Sequence, residues 1–250
     1  MSELGKSDIF YAKHGSDKLL KRIRMVVQTH FPDSVQSYEK MKIDDYREIV
    51  RLCQVFLCDN DYVRKIVDQI ADDVRSRIDD HRFLIQTNLY LRAARPQVQQ
   101  ETESVGWHRE SFYGPNMERS TNIWTPVLGV SKLNTLRFVP ESQLIPETDI
   151  AIEQYEDPVT KKGSTGNLTG FLYAPKKIVS GVDFSKAEAM DVPYFHSSIF
   201  SGNLIHGSAV NHSNQTRFSI DFRIIPMRFY DKDLNKAFHL ASGKSYFEEY

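Results

Sequence analysis

Trp107-His108-Arg109-Glu110 sets an imidazole and a carboxylate two positions apart, and Leu204-Ile205-His206-Gly207-Ser208 supplies a second imidazole far downstream. On a β-strand, side chains at i and i+2 project to the same face. The spacing therefore predicts that His108 and Glu110 grip one cation from a strand at about 105–110, with His206 arriving from another strand. Two imidazoles and a carboxylate suit Fe(II) and leave about three coordination positions open for a chelating acid and dioxygen. Arg217-Phe218-Ser219 follows, and its guanidinium is a natural anchor for the far end of such an acid. With 8 His and 33 acidic residues in 250, about one His-x-Asp/Glu is expected by chance and one is present. The weight of the motif rests on the elements that position it.

Those elements divide the chain in two. Leu19, Leu20, Ile23, Val26 and Val27 recur at helical spacing until Pro32; Ile49, Val50, Cys53, Phe56 and Leu57 form a second such face. Val63, Ile66, Val67, Ile70, Val74 and Ile78 form a third, with Asp59 or Asn60 as the expected N-cap. Each apolar face needs a sheet or another helix to cover. From Arg82 the period becomes two, predicting strands at about 82–92, 105–110, 121–130, 135–139, 168–173, 192–200, 203–210 and 215–229. Turn residues such as Gly114-Pro115 separate them, and 155–167 reads as the longest loop, a candidate lid. In the last strand Arg217, Ser219, Asp221 and Arg223 share one face and Phe218, Ile220, Phe222 and Ile224 the other. Gln86, Asn88, Tyr90 and Arg92 make a similar polar row. Two such rows predict a polar interior that holds a ligand, rather than a solvated sheet face.

Lys+Arg of 32 against Asp+Glu of 33 leaves a net charge of −1 and no global field to recruit nucleic acid or anionic membrane. No apolar run approaches the roughly 18 residues of a membrane helix, and Met1 to Lys6 lacks the apolar core of a secretory signal. Cys53 and Cys58 are the only cysteines, share one predicted helix, and read as core residues in a reducing cytoplasm. The expectation is one domain over 1–250: helices to about residue 80, a β core over about 81–230, and a short C-terminal tail.

The order of motifs resembles the phytanoyl-CoA dioxygenase-like (PhyH) branch of the Fe(II)/2-oxoglutarate-dependent oxygenases. The resemblance runs from about Arg82 to Arg228. It is borne by Asn88 to Arg92, Trp107 to Glu110, Ile123 to Val127, Asn134 to Ser142, and Leu204 to Asn211 with Arg217 eleven positions past His206. It implies an α+β chain with a mainly β core, a double-stranded β-helix (a jelly-roll or cupin-like barrel) backed by N-terminal helices. It also implies Fe(II) bound by His108, Glu110 and His206, with 2-oxoglutarate and O2 as co-substrates. His196 competes for the distal position, and the offsets to Ser208 and Arg217 favour His206. Arg217 then pairs with the remote carboxylate of 2-oxoglutarate, helped by Ser208 or Ser219. Asn88, Tyr90 and Trp124 flank the co-substrate, and Arg92, Phe112 and Tyr113 face the substrate. The sequence departs from the family at Glu110, where Asp is usual, and at Glu141, where Gly is usual.

The implied reaction is oxidation of an unactivated C–H bond of a small molecule, polar and sugar-like or secondary-metabolite-like to judge by the interior rows. Hydroxylation is the default; desaturation, ring closure or epimerisation begins the same way. Two alternatives use the same residues: a zinc-dependent hydrolase, and a non-catalytic small-molecule-binding barrel.

Overall fold

A computed structural model describes residues 9–31, 41–96, 106–113, 116–154, 176–208, 210–231 and 245–250. Strand β1 (Ile9–Lys13) precedes three helices, α1 (Asp17–His30), α2 (Ile43–Asp59) and α3 (Tyr62–Ile78). Ser16 caps α1, its hydroxyl accepting from the Lys18 amide. The apolar faces read from the sequence are the buried ones: Leu20, Ile23 and Val27 on α1, Cys53 and Leu57 on α2, and Val63, Ile66, Val67, Ile70, Val74 and Ile78 on α3. Phe56 departs from that reading and is 43% exposed. The N-cap of α3 is Asp61, in the left-handed region, because α2 runs on through Asp59 and Asn60 closes it.

The strands are β2 (Phe83–Gln86), β3 (Tyr90–Ala94), β4 (Thr121–Leu128), β5 (Leu136–Phe138), β6 (Ala151–Gln154), β7 (Lys176–Ser180), β8 (Glu188–Ala189), β9 (His196–Ser201), β10 (His206–Ser208), β11 (Arg217–Pro226) and β12 (Phe247–Glu249). A seven-stranded sheet runs β1-β9-β4-β11-β2-β12, with β3 also paired to β11. A second sheet is β10-β5-β8, and β6 and β7 form a hairpin. Among the described residues every strand pairing is antiparallel.

All ten residues of β11 are buried. Its apolar row, Phe218, Ile220, Phe222 and Ile224, packs in the main core with the three helices. The opposite row, Arg217, Ser219, Asp221 and Arg223, is buried as well, and so faces an interior rather than solvent. The predicted 82–92 strand is two strands. Both pair with β11, and between them the Thr87 amide turns to the Tyr246 carbonyl. The described part of the 105–110 segment, 106–110, is not a strand either: His108 makes an isolated bridge to His206, and Glu110 opens a 3₁₀ turn over Glu110–Tyr113. Sequence periodicity misses β1 and β12, which pair at the edges of the large sheet, because five or fewer residues show no clear alternation. The 155–167 loop, the 168–173 strand and Gly114-Pro115 lie outside the described residues.

Between the helices and β9 lies a buried polar chain. His14 Nε2 is 2.8 Å from Ser197 Oγ, which is 2.6 Å from Thr125 Oγ1. Burial, reinforced by nearby His196, lowers the His14 pKa to about 4 from the ordinary 6.5. The native state therefore binds fewer protons than the unfolded chain between these values, and stability is lost as pH falls through that window. The shift corresponds to about 3 kcal/mol, complete near pH 4. Urea unfolding at pH 7 and pH 4 should show a smaller loss in His14→Gln than in wild type. Equal losses would remove His14 from the acid response.

Candidate metal centre

His206 starts β10, and its backbone exchanges two hydrogen bonds with His108, N to O at 3.0 Å each way. This bridge sets the two imidazoles side by side, ring centroids 4.3 Å apart and planes tilted by 55°. Glu110 joins them through its backbone, its amide donating to the Gly202 carbonyl at 2.7 Å. Glycine at 202 lets this turn pack against Ser120, since a Cβ there would lie 2.9 Å from the Ser120 carbonyl oxygen. The result is a buried triad, His108, Glu110 and His206, whose ligand atoms lie within 4.8 Å of one another. Glu110 Oε1 is 3.8 Å from His108 Nε2 and 3.6 Å from His206 Nε2.

The tautomers suit a cation. His108 Nδ1 donates to the Gly106 carbonyl at 2.7 Å and His206 Nδ1 to the Leu204 carbonyl at 2.8 Å. Each Nε2 is left as a lone-pair donor turned toward Glu110. Burial lowers both imidazole pKa values, that of His108 to about 3 with help from its neighbour His206, so both rings are neutral near pH 7. Burial opposes ionisation of Glu110, but Arg223, aided by the two histidines, outweighs it and holds the carboxyl below its usual value.

Glu110 is one end of a buried chain of alternating charge. Arg223 donates to both its oxygens, at 2.9 and 3.0 Å, and to Asp221 Oδ2 at 2.9 Å; Arg92 grips Asp221 at 2.6 and 3.2 Å. Tyr90 lies alongside, with Arg92 and Arg223 4.8 and 5.2 Å from its ring and its hydroxyl 2.8 Å from that of Tyr246.

A pocket opens between the two sheets beside the triad. Arg217 lines it, 1% exposed, donating to the Asn134 carbonyl at 3.0 Å and reaching Ser208 Oγ at 3.5 Å. Among the described residues, no carboxylate pairs with Arg217 and its Nε has no acceptor. Burial, with Arg92 nearby, lowers its pKa to about 10, so it remains a cation. A buried guanidinium that no carboxylate pairs has the charge and geometry to receive an anion.

Of the residues read from the sequence, His108, His206, Arg217, Ser208, Trp124 and Arg92 line the pocket, with Glu110 in the triad. Tyr113 meets His108 edge-on, centroids 5.2 Å apart. Four placements differ, Tyr90 among them: it lies against Arg92 and Arg223 and does not line the pocket. Asn88 faces α2, where its Oδ1 accepts from the Cys58 thiol at 3.1 Å, because the break at 87–89 turns it out of the polar row. Phe112 packs in an apolar cluster with Val139, Ile150, Ile178 and Ile205. Ser219 is buried on the polar face of β11 but does not line the pocket. His196 lies away from the triad, its Nδ1 on the Tyr194 carbonyl at 2.9 Å. Sequence reasoning missed Asn122, Leu136 and Phe200 as lining residues, and Asp221 and Arg223 as partners of the triad. For Asn122 the signal was present: it stands two positions before Trp124 on β4 and shares its face.

The family model for phytanoyl-CoA dioxygenase (PhyH) matches residues 16–219, and the chain belongs to that family. Fe(II) and 2-oxoglutarate are its metal and co-substrate, and the His-Glu-His donor set fits iron. No curated protein sequence matches the chain. Among solved structures, the non-heme monooxygenase ThoJ in its apo form is similar at 15% identity and a TM-score of 0.52, over 88% of this chain and 74% of that one. The epimerase SnoN, solved in complex with Fe3+, alpha ketoglutarate and nogalamycin RO, is similar at 10% identity and a TM-score of 0.52, over 88% and 79%. AviO1 from Streptomyces viridochromogenes Tue57 is similar at 14% identity and a TM-score of 0.50, over 90% and 92%. At these identities the likeness is one of fold. Among the described residues, no helix is long and apolar enough to cross a membrane.

Proposed function

We propose that this chain is a single-domain Fe(II)- and 2-oxoglutarate-dependent dioxygenase built on a double-stranded β-helix. It oxidises an unactivated C–H bond of a small polar molecule: substrate, 2-oxoglutarate and O2 give oxidised substrate, succinate and CO2. The observation that bears most weight is that one pocket is lined both by His108 and His206, which meet Glu110 in the triad, and by Arg217, whose guanidinium no carboxylate pairs among the described residues.

His108 and His206 would hold the metal through Nε2 and Glu110 through Oε1. The bound iron and keto acid supply the oxidising power, and the protein supplies orientation and shelter. Arg217 pairs with the far carboxylate of the keto acid, where Ser208 adds a hydroxyl donor. Trp124, Leu136 and Phe200 make an apolar wall that keeps water from the reacting centre. Arg92, Asn122 and Asp221 give the remaining wall polar character, which supports a hydroxylated rather than a lipid substrate. A zinc hydrolase would leave Arg217 without a task. Anaerobic addition of Fe(II) and 2-oxoglutarate tests the reading. A weak visible charge-transfer band is expected, and its absence would reject the assignment in favour of the zinc or binding-barrel alternatives.

A further inference from the structure

We propose that Arg223 is a positioning residue that keeps Glu110 a one-oxygen metal ligand, and so preserves the coordination position that the keto acid or dioxygen needs. The inference rests on the dioxygenase reading and concerns a residue to which that reading gives no role. Glutamate carries its carboxylate on two methylenes, so an unrestrained Glu110 has the reach and freedom to present both oxygens to one cation. Three single-atom ligands leave three of six positions free, enough for a two-point chelate and dioxygen. A fourth protein atom would leave two, and one of the co-substrates would lose its place.

The guanidinium of Arg223 removes that freedom. Its Nη2 donates to Oε1 at 2.9 Å and its Nε to Oε2 at 3.0 Å. Oε1 is the oxygen that also approaches His108 and His206 Nε2, so Arg223 and the metal share it, while Oε2 is occupied by Nε. Arg223 is itself fixed. Its Nη1 is held by Asp221, which Arg92 grips with two further bonds, its backbone amide donates to Gln86 Oε1 at 3.0 Å, and Tyr90 flanks its plane. Such a fork sets the direction of a carboxylate, which a point charge does not.

The test compares Arg223→Gln and Arg223→Lys with wild type, using anaerobic Co(II) and Fe(II) titrations and the 2-oxoglutarate charge-transfer titration. Both variants should keep metal affinity nearly unchanged, or tighten it, while 2-oxoglutarate affinity falls about 10- to 100-fold, the range typical of lost outer-shell contacts. Their Co(II) absorption should change toward higher protein coordination. An ordinary supporting contact gives the opposite split, with metal affinity lost, and that outcome would overturn the proposal. So would wild-type behaviour in Arg223→Lys, which would make charge rather than the fork responsible. The lysine variant, retaining the cation, also covers the case in which the glutamine variant does not fold. If wild type gives no charge-transfer band, the dioxygenase reading fails, whereas the Co(II) comparison, which needs no keto acid, still decides whether Arg223 restrains Glu110.

Discussion

His206→Ala is expected to lower Fe(II) affinity by more than about 100-fold, since outer-shell changes alone cost 10- to 100-fold and this removes a ligand. The structure makes the expectation specific. His206 contributes Nε2 to a triad of three, and its Nδ1 is fixed by the Leu204 carbonyl, so no other imidazole among the described residues takes its place. The backbone bridge to His108 does not involve the side chain and should survive. His196→Ala is the control, because His196 sits apart from the triad with its Nδ1 bonded to the Tyr194 carbonyl. Anaerobic calorimetric titration with Fe(II), alongside circular dichroism to establish folding, reads both variants. Wild-type affinity in His206→Ala, or a matching loss in His196→Ala, would displace His206 from the ligand set.

The residues of the triad and the buried Arg217 were readable because β11 and the histidine motifs are local patterns. Alternation along Arg217–Pro226 separates the polar row from the apolar row without any knowledge of the partner strands. The paired polar rows pointed to an interior, but not to what encloses it, since that depends on helices covering one face and the second sheet lying across the other. Periodicity also failed where tertiary contacts override it. Glu110 reaches the triad from a 3₁₀ turn rather than a strand, because the Gly202 carbonyl captures its amide. Asn88 looked equivalent to Tyr90 and Arg92, but the chain bends at 87–89 when Thr87 turns to Tyr246, a residue far away in sequence. The Glu110–Arg223–Asp221–Arg92 chain was invisible for the same reason: it joins three separate stretches, and only the coordinates reveal which charges oppose one another. Single charged residues on strands give no hint of their partners.

Arg217→Ala should weaken 2-oxoglutarate binding by roughly 100- to 1,000-fold, the equivalent of about 3 to 4 kcal/mol, as for truncating one member of a buried charge pair. Arg217 is almost fully buried, and its hydrogen-bond partners, the Asn134 carbonyl and Ser208 hydroxyl, are neutral. A carboxylate arriving there would gain a forked, charge-assisted contact in a site with little water to screen it. Removing the cation should therefore act on the co-substrate and spare the metal, because none of the three ligands depends on Arg217 for its hydrogen bonds. Arg217→Lys should fall between wild type and alanine, retaining charge but losing the fork. The charge-transfer titration of the Fe(II)-loaded protein measures each affinity, with Co(II) binding as the check on the metal site. Unchanged 2-oxoglutarate affinity in the alanine variant would mean that the keto acid binds elsewhere, and would leave the buried guanidinium to a substrate anion instead.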